Sequence, residues 1–199
     1  MCYLDIYHDL TLAAHRAYTR GIQTGSGGNM AVRVPDTDTM IVKSSGGSFA
    51  DCTDEGKGWL AMHFDGSLLP CEKGKPTREW LLHATLLQAL PQYEAVVHFH
   101  SPWAIAWANF HDCIPLVTWH SQLKMKHEIP VLDVPAAVVP AEYMPQILNL
   151  FEQTPDLCGF ILKGHGLVAL GGTAVAAEHM AEQIEETAQI AVLEHLLSR

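Results

Sequence analysis

Three histidines give the clearest chemical signal in this sequence. His98 and His100 are separated by one residue in a segment with strand-like composition, so both rings project from one face and can reach the same metal ion. His165 lies between Gly164 and Gly166, where a tight turn can bring its ring towards the same centre. Three imidazoles leave a zinc ion one open coordination position, the arrangement of catalytic sites. The spacing therefore predicts a catalytic metal centre.

Ordinary structural roles compete with this interpretation. The chain has 12 histidines, so a His-x-His spacing also arises by chance. The remaining histidines show no ligand spacing, and surface or hydrogen-bonded positions are favoured for them. The metal-site prediction therefore depends on the residues that surround the pair.

Helical and strand-like patterns alternate along the chain. Apolar residues recur at helical spacing in residues 3–18, 76–90, 141–152 and 173–197, and a shorter helix is predicted from Ser101-Pro102 to Asn109. Strands are predicted at residues 30–34, 39–43, 59–64, 95–100, 129–134, 159–163 and 167–170. Glycine-rich loops lie at residues 25–29 and 46–47. With no internal repeat and no linker-like segment, we expect a single α/β domain over residues 1–199.

Composition and charge limit the class of protein. Apolar residues make up 48% of the chain and charged residues 17%, enough to bury a core. A formal net charge of −10 argues against nucleic acid as a partner. No apolar run approaches the roughly 18 residues of a membrane span, and the first residues carry Asp5 where a signal peptide would be basic. We expect no membrane partner.

The cysteines indicate the compartment. There are five, at Cys2, Cys52, Cys71, Cys113 and Cys158, an odd number with no Cys-x-x-Cys pair. This pattern predicts neither a disulfide framework nor a thiolate zinc site. We therefore expect a cytoplasmic protein.

Five motifs in a fixed order indicate a family. They are GGNMAVR at 27–33, IVKSSG at 41–46, KPTREW at 75–80, AVVHFHS at 95–101 and KGHGL at 163–167. Together they resemble the class II aldolase/adducin family over essentially the whole chain. The resemblance implies a three-layer α/β/α fold with a mostly antiparallel central sheet. It also implies a homotetramer with active sites at the subunit interfaces.

The resemblance assigns roles to the metal ligands. His98, His100 and His165 would bind the metal, and Glu79 would be a fourth, displaceable ligand and then the catalytic base. Without the resemblance, Glu79 would be interpreted as an acid in the first turn of a helix. Zinc is the implied ion, although imidazole-rich sites also accept Mn²⁺, Co²⁺, Ni²⁺ or Fe²⁺. The implied reaction is aldol cleavage of a small phosphorylated ketose through a metal-stabilised enediolate.

The glycine-rich loops suggest how an acidic protein could hold phosphate. Positions that match the family's phosphate-binding residues are Gly28, Asn29, Ser45, Gly46 and Thr77. Backbone amides in such turns can form an anion-binding nest, although ordinary tight turns explain the glycines equally well. Arg78 departs from the family pattern, which has a small residue there. An arginine could strengthen a phosphate contact or receive a substrate carboxylate.

Two departures concern the general acid. Trp119 stands where the aldolase pattern has a tyrosine, and the indole cannot donate an acidic proton. His120 could act as the acid instead, because its ordinary pKa is near neutrality, but a packing role fits equally well. The chain ends at Arg199, so we expect no counterpart of the family's C-terminal tyrosine.

Other reactions of the family remain open. Lys43 is like a lysine of the family's epimerases, but those enzymes have aspartates where this chain has Glu79 and Gln122. A dehydratase or a decarboxylase of oxo acids would use the same metal chemistry, and Arg78 leaves the decarboxylase open. A non-catalytic, adducin-like binding module is the alternative from another class. Adducin heads have lost metal ligands, whereas this chain has all four.

Overall fold

An eight-stranded sheet runs through the middle of the structure, a computed structural model that describes residues 3–198. Met1, Cys2 and Arg199, and with them the predictions about Cys2 and the two chain ends, lie outside the described residues. The strands are β1 (Asn29–Arg33), β2 (Thr39–Lys43), β3 (Trp59–His63), β4 (Ala95–Phe99), β5 (Cys113–Ile114), β6 (Ile129–Leu132), β7 (Gly159–Leu162) and β8 (Gly166–Gly171).

The sheet order is β3-β2-β1-β4-β8-β7-β6-β5. Every named pairing is antiparallel except that of β6 with β7. The expectation of a mostly antiparallel sheet is confirmed.

Helices cover both faces of this sheet. They are α1 (Tyr3–Arg20), α2 (Trp80–Ala89), α3 (Pro102–Ala108), α4 (Trp119–Met125), α5 (Met144–Gln153) and α6 (Ala174–Leu197). One core joins α1, α3 and α6 to the sheet, and a second core joins α2 and α5 to its other face. Alternate residues of β4 feed the two cores, Val97 into the first and Val96 into the second, as the two-residue period of a strand requires. The three-layer α/β/α prediction is confirmed.

Several predicted boundaries were wrong. The helix predicted at 76–90 begins only at Trp80, because the preceding backbone pairs with the end of β2: Thr77 N donates to Lys43 O at 2.9 Å. The helix predicted from residue 141 starts as a 3₁₀ turn, Ala141–Tyr143, and becomes α-helical at Met144. The strand predicted at 95–100 ends at Phe99. The short elements β5 and α4 were not predicted.

The start of α3 has an unexpected cap. Ser101 is the residue before this helix, but its hydroxyl donates to Ile22 O at 3.3 Å and makes no cap hydrogen bond. The carboxylate of Glu185 on α6 accepts from Trp103 N at 2.9 Å and Ala104 N at 2.8 Å. A distant carboxylate therefore satisfies the helix N-terminus.

None of the helices within residues 3–198 is long and apolar enough to cross a bilayer.

Candidate metal centre and anion cavity

The structure brings the three predicted histidines together. His98 lies near the end of β4, His100 follows that strand directly, and His165 lies in the turn from β7 to β8. Because β4 and β8 are antiparallel neighbours, with Phe99 opposite Leu167, the turn is held beside the strand end. One ligand nitrogen from each ring lies within 4.8 Å of the others.

The tautomer and the protonation state of His98 suit a metal ligand. Its Nδ1 lies 3.0 Å from the carbonyl oxygen of Leu167, and a carbonyl can only accept, so Nδ1 carries the proton. Nε2 therefore holds a lone pair, as second-shell hydrogen bonds to ligating histidines usually arrange. Burial lowers the pKa of His98 to about 3, and burial also lowers the pKa of His100. Both rings are neutral at pH 7, which is the metal-binding form.

Glu79 is the carboxylate nearest to this cluster. It is buried directly before α2, and its Oε2 lies 3.3 Å from His98 Nε2. Burial raises its pKa, but the Coulombic interaction with the His98 ring and the hydrogen bond from Asn29 lower it and together outweigh burial, so the net shift is downward. Glu79 is therefore ionised at neutral pH. As a helix-start acid it makes no side-chain cap hydrogen bond.

The site fits a divalent cation. Within residues 3–198, His98 Nε2, Glu79 Oε1 and His165 Nδ1 are buried and find no hydrogen-bond partner. Leaving such a group unsatisfied costs about 1–3 kcal/mol. A cation between the three histidines and Glu79 would provide the missing partner for these atoms. The donor set of imidazole nitrogens and one carboxylate suits zinc and its neighbours in the transition series.

A buried hydrogen-bond chain holds the carboxylate. Asn29 Nδ2 donates to Glu79 Oε2 at 3.1 Å, and Asn29 Oδ1 accepts from His83 Nε2. Burial lowers the pKa of His83 to about 4, so the ring is neutral. Asn29 also lies opposite His98 in the β1–β4 pairing. Its side chain is thus committed to Glu79 and His83, and only its backbone is available for the predicted phosphate contact.

Sequence reasoning missed His83, which was set aside for lack of ligand spacing. Its position four residues after Glu79 was a usable signal, because such residues share one helix face.

A cavity of about 250 Å³ opens beside the metal centre. The predicted residues that line it are Gly28, Asn29, Ser45, Gly46, Thr77, Arg78, Glu79, His100 and His165. Gly28 and Gly46 have φ of 65° and 84°, so both turns use the left-handed conformation that favours glycine. Further lining residues, which were not among the predicted site residues, are Ser26, Gly27, Lys43, Ser44, Ala137 and Val138.

Two cationic side chains line this cavity. Lys43 is only 2% exposed, and its Nζ has one weak hydrogen bond, to Ser44 O at 3.4 Å. Burial lowers its pKa. Arg78 is exposed in the wall of the cavity. Among the ion pairs found in residues 3–198, none involves Lys43 or Arg78. Their charges are therefore available to an anionic ligand.

His120 lies apart from the other predicted site residues. It occupies the first turn of α4, which begins at Trp119 because Thr118 and Ser121 form a capping box. Ser121 and Met125 point into the core, so Trp119 and His120 are exposed. His120 does not line the cavity of its own chain. Neither the predicted acid role nor the packing alternative is supported by the geometry of one chain.

The sequence is similar to those of known proteins over most of its length. Residues 8–192 match the family described as "Class II Aldolase and Adducin N-terminal domain". An L-fuculose phosphate aldolase of Methanococcus maripaludis is 31% identical over 173 residues, covering 87% of this chain and 88% of the relative. A 3-oxo-tetronate 4-phosphate decarboxylase of Escherichia coli K12 is 27% identical over 190 residues, covering 94% and 85%.

Solved structures share the fold. The L-fuculose-1-phosphate aldolase from Thermus thermophilus matches with a TM-score of 0.82 at 22% identity, covering 97% of this chain and 95% of that one. A sugar-phosphate aldolase from Thermotoga maritima matches with a TM-score of 0.82 at 18% identity, covering 98% and 97%. At these identities the likeness concerns the fold alone.

Proposed function

The chain belongs to the family of the class II aldolase and adducin N-terminal domain, and from this premise we propose that it is a metal-dependent aldolase acting on a small phosphorylated ketose. Membership, together with the named relatives, makes it an aldolase-type lyase. One observation carries the finer proposal. Glu79 and His165, each with a buried ligand atom that has no hydrogen-bond partner among residues 3–198, line a cavity that also contains glycine turns and cationic side chains.

The resident ion is proposed to be zinc, held by His98, His100, His165 and Glu79, with Mn²⁺, Co²⁺, Ni²⁺ and Fe²⁺ as alternatives. When bound, the cation would supply Lewis-acid stabilisation of the negative charge that develops on substrate oxygens as the carbon–carbon bond breaks.

Glu79 is proposed as the proton carrier. Its carboxylate is ionised and held in place through Asn29, so in the condensing direction it can accept a proton from the carbon beside the substrate carbonyl. In the cleaving direction the same group returns that proton. The buried position of Glu79 keeps bulk water from this exchange.

The two glycine turns are proposed to hold the phosphate. Gly28 and Gly46, which can donate backbone amides, and Ser45 and Thr77, which can donate hydroxyls, all line the cavity. The ammonium of Lys43 and the guanidinium of Arg78 add positive charge beside these donors, although the chain as a whole is acidic. Local donors thus offset the repulsion expected from a net charge of −10.

A decarboxylase is the second candidate, and Arg78 favours it. A phosphorylated 3-oxo acid carries two anionic groups, and this cavity has two cations, Lys43 and Arg78, beside the glycine turns. The relative from Escherichia coli bears the name 3-oxo-tetronate 4-phosphate decarboxylase. The loss of carbon dioxide would leave the same kind of carbanion beside a carbonyl, so the metal ligands would serve both reactions.

The proposal also covers the domain organisation, the oligomeric state and the cellular compartment. We propose that residues 1–199 form one domain, supported by the single continuous sheet, and that the chain assembles as a homotetramer with interfacial active sites. A second copy could supply the general acid that the described lining residues do not provide. The cytoplasm is the proposed compartment, in keeping with free thiols at Cys52, Cys71, Cys113 and Cys158.

Elemental analysis of the purified protein beside its His98→Ala variant tests the metal site. We expect about one metal per chain in the wild type, as one three-histidine site requires, and its loss in the variant. Metal-loaded protein would then be assayed with L-fuculose phosphate for aldehyde release and with 3-oxo-tetronate 4-phosphate for release of carbon dioxide. If the wild type neither contains metal nor takes up added zinc or manganese, the catalytic proposal fails and a non-catalytic, adducin-like module remains.

A further inference from the structure

We propose that Gln23 is a positioning residue that holds the metal ligand His100 and the glycine turn at Gly27 and Gly28 in one fixed arrangement. The proposal rests on the proposed metal and phosphate sites. Gln23 lies in the loop after α1 and is separated by 77 residues from His100. It would act through these neighbours, without touching the substrate.

Both ends of the Gln23 amide are engaged. The side chain is only 2% exposed, although a glutamine is ordinarily at the surface. Its Oε1 accepts from the backbone N–H of His100 at 2.8 Å, and its Nε2 donates to Thr24 O at 2.8 Å. The amide orientation is therefore determined by one donor and one acceptor on opposite sides.

The bond to His100 replaces a missing strand partner. The β4–β8 pairing ends at Phe99 and Leu167, and the β1–β4 pairing ends at Asn29 and His98. His100 is thus the first residue beyond the sheet. Its backbone N–H donates to the Gln23 side chain and not to a residue of a neighbouring strand. The backbone carrying one of three ligands therefore depends on a single side chain.

The same side chain lies beneath the glycine turn. A Cβ added at Gly27 would lie 2.7 Å from both Gln23 Nε2 and His100 Nδ1, and a Cβ at Gly28 would overlap the Gln23 carboxamide. Real Cβ atoms do not approach other atoms so closely. The turn, the amide and the imidazole therefore pack directly against one another, and moving one displaces the others.

Gln23→Met removes both hydrogen bonds at nearly constant volume. Cobalt affinity would be measured by chelator competition, the cobalt absorption spectrum would be recorded, and inorganic phosphate binding would be measured by calorimetry. We expect a roughly 10–100-fold loss of cobalt affinity, the usual cost of removing an outer-shell partner, with an altered spectrum and several-fold weaker phosphate binding. Gln92→Met, which changes an exposed glutamine elsewhere, should match the wild type.

Gln23→Glu separates the two contacts. The carboxylate still accepts from His100 N, but it cannot donate to Thr24 O, and it places negative charge beneath the turn. We expect a cobalt spectrum and affinity close to wild type, with phosphate binding lost. A purely structural role for Gln23 would not produce this split, and it can be measured even if Gln23→Met does not fold.

The outcomes separate this proposal from the proposed function. If the wild type binds cobalt and phosphate and folded Gln23→Met equals it in both, Gln23 is not a positioning residue, while the proposed function stands. Equal losses of cobalt and phosphate in Gln23→Glu would also overturn the proposal. A wild type that binds no cobalt would overturn both.

Discussion

The buried chain from His83 through Asn29 to Glu79 is the main feature of the site at the scale of single residues. One oxygen of Glu79 accepts a hydrogen bond from Asn29, and the other has no partner among residues 3–198. The hydrogen bond therefore fixes the orientation of the ionised carboxylate. His83 makes no contact with the cavity and acts through Asn29. Its role would be to keep the Asn29 amide in the orientation that donates to Glu79.

We expect His83→Leu to lower kcat by about 10–100-fold with a smaller change in KM, because it loosens the carboxylate without removing a substrate contact. His83→Gln retains an N–H donor and should recover most of the activity. Steady-state kinetics with metal-loaded protein test this, after circular dichroism has shown that both variants fold. Equal kcat values in His83→Leu and the wild type would contradict the role.

Arg78 is the residue that distinguishes the two candidate reactions. If it binds a substrate carboxylate, Arg78→Ser should raise KM for 3-oxo-tetronate 4-phosphate by about tenfold or more, as expected for a charge-assisted pair, and change KM for L-fuculose phosphate little. If it binds phosphate, both KM values should rise together. Arg78→Lys is the control that retains charge but loses the bidentate geometry. Unchanged KM values for both substrates would remove Arg78 from the site.

The contact between α1 and α6 carries an ionic network at the scale of elements. Arg16 Nε lies 2.9 Å from Glu178 Oε2, and Glu182 lies 3.4 Å from both Arg16 and Arg20. Glu178 is fully buried, and its Oε1 has no hydrogen-bond partner within the described chain. Burial, opposed by Arg16, raises the pKa of Glu178 to about 7.

This network predicts a pH dependence of stability. A raised carboxyl pKa means that ionisation costs more in the folded than in the unfolded chain, so the contribution of Glu178 to stability is highest below the ordinary pKa of 4.5 and falls as pH rises from there to about 7. The loss should be on the order of a few kcal/mol by pH 8. Glu178→Gln should remove this contribution and make the slope of the unfolding free energy against pH, measured by denaturant unfolding at pH 5 and pH 8, more positive than in the wild type.

Glu186→Gln is the control for that measurement, because Glu186 is an exposed acid on the same helix. It should retain the wild-type slope. A Glu178→Gln slope equal to that of the wild type would contradict the assignment.

An exposed apolar surface is the main feature at the scale of the whole molecule. Its largest members are Phe110 at 84%, Trp119 at 87%, Leu123 at 74%, Leu196 at 61% and Leu197 at 87% exposure. They lie on α4, at the end of α6 and just after α3, and residues of α3 and α6 share an apolar cavity there. Large exposed apolar patches are common where protein chains contact one another. The proposed homotetramer would cover this surface.

We expect Phe110→Ser to shift the assembly towards smaller species, because an anchoring aromatic is lost from the interface. Size-exclusion chromatography with light scattering measures the mass. Leu4→Ser is the control, since Leu4 is 65% exposed at the other end of the chain on α1. A wild type that elutes as a monomer would remove the basis for interfacial active sites.

Local sequence patterns were sufficient to predict much of the fold and the metal-ligand candidates of this protein. The two-residue period of a strand predicted that His98 and His100 would lie close together, although β4 ends at Phe99, and apolar spacing predicted the long helices α1 and α6. Ordered motifs then supported the family and the three-layer fold. Helix starts were less certain, as at residues 76–79, because pairing with β2 decided the backbone there.

Only the tertiary structure decided how the site is held together. The roles of Gln23, Lys43 and His83 depend on the neighbours that the folded chain places beside them. His100 meets Gln23 across 77 residues, and His83 meets Asn29 across 54. Sequence periodicity describes which face of an element is buried, whereas these contacts depend on which elements lie side by side. That arrangement is determined by the packing of the whole chain.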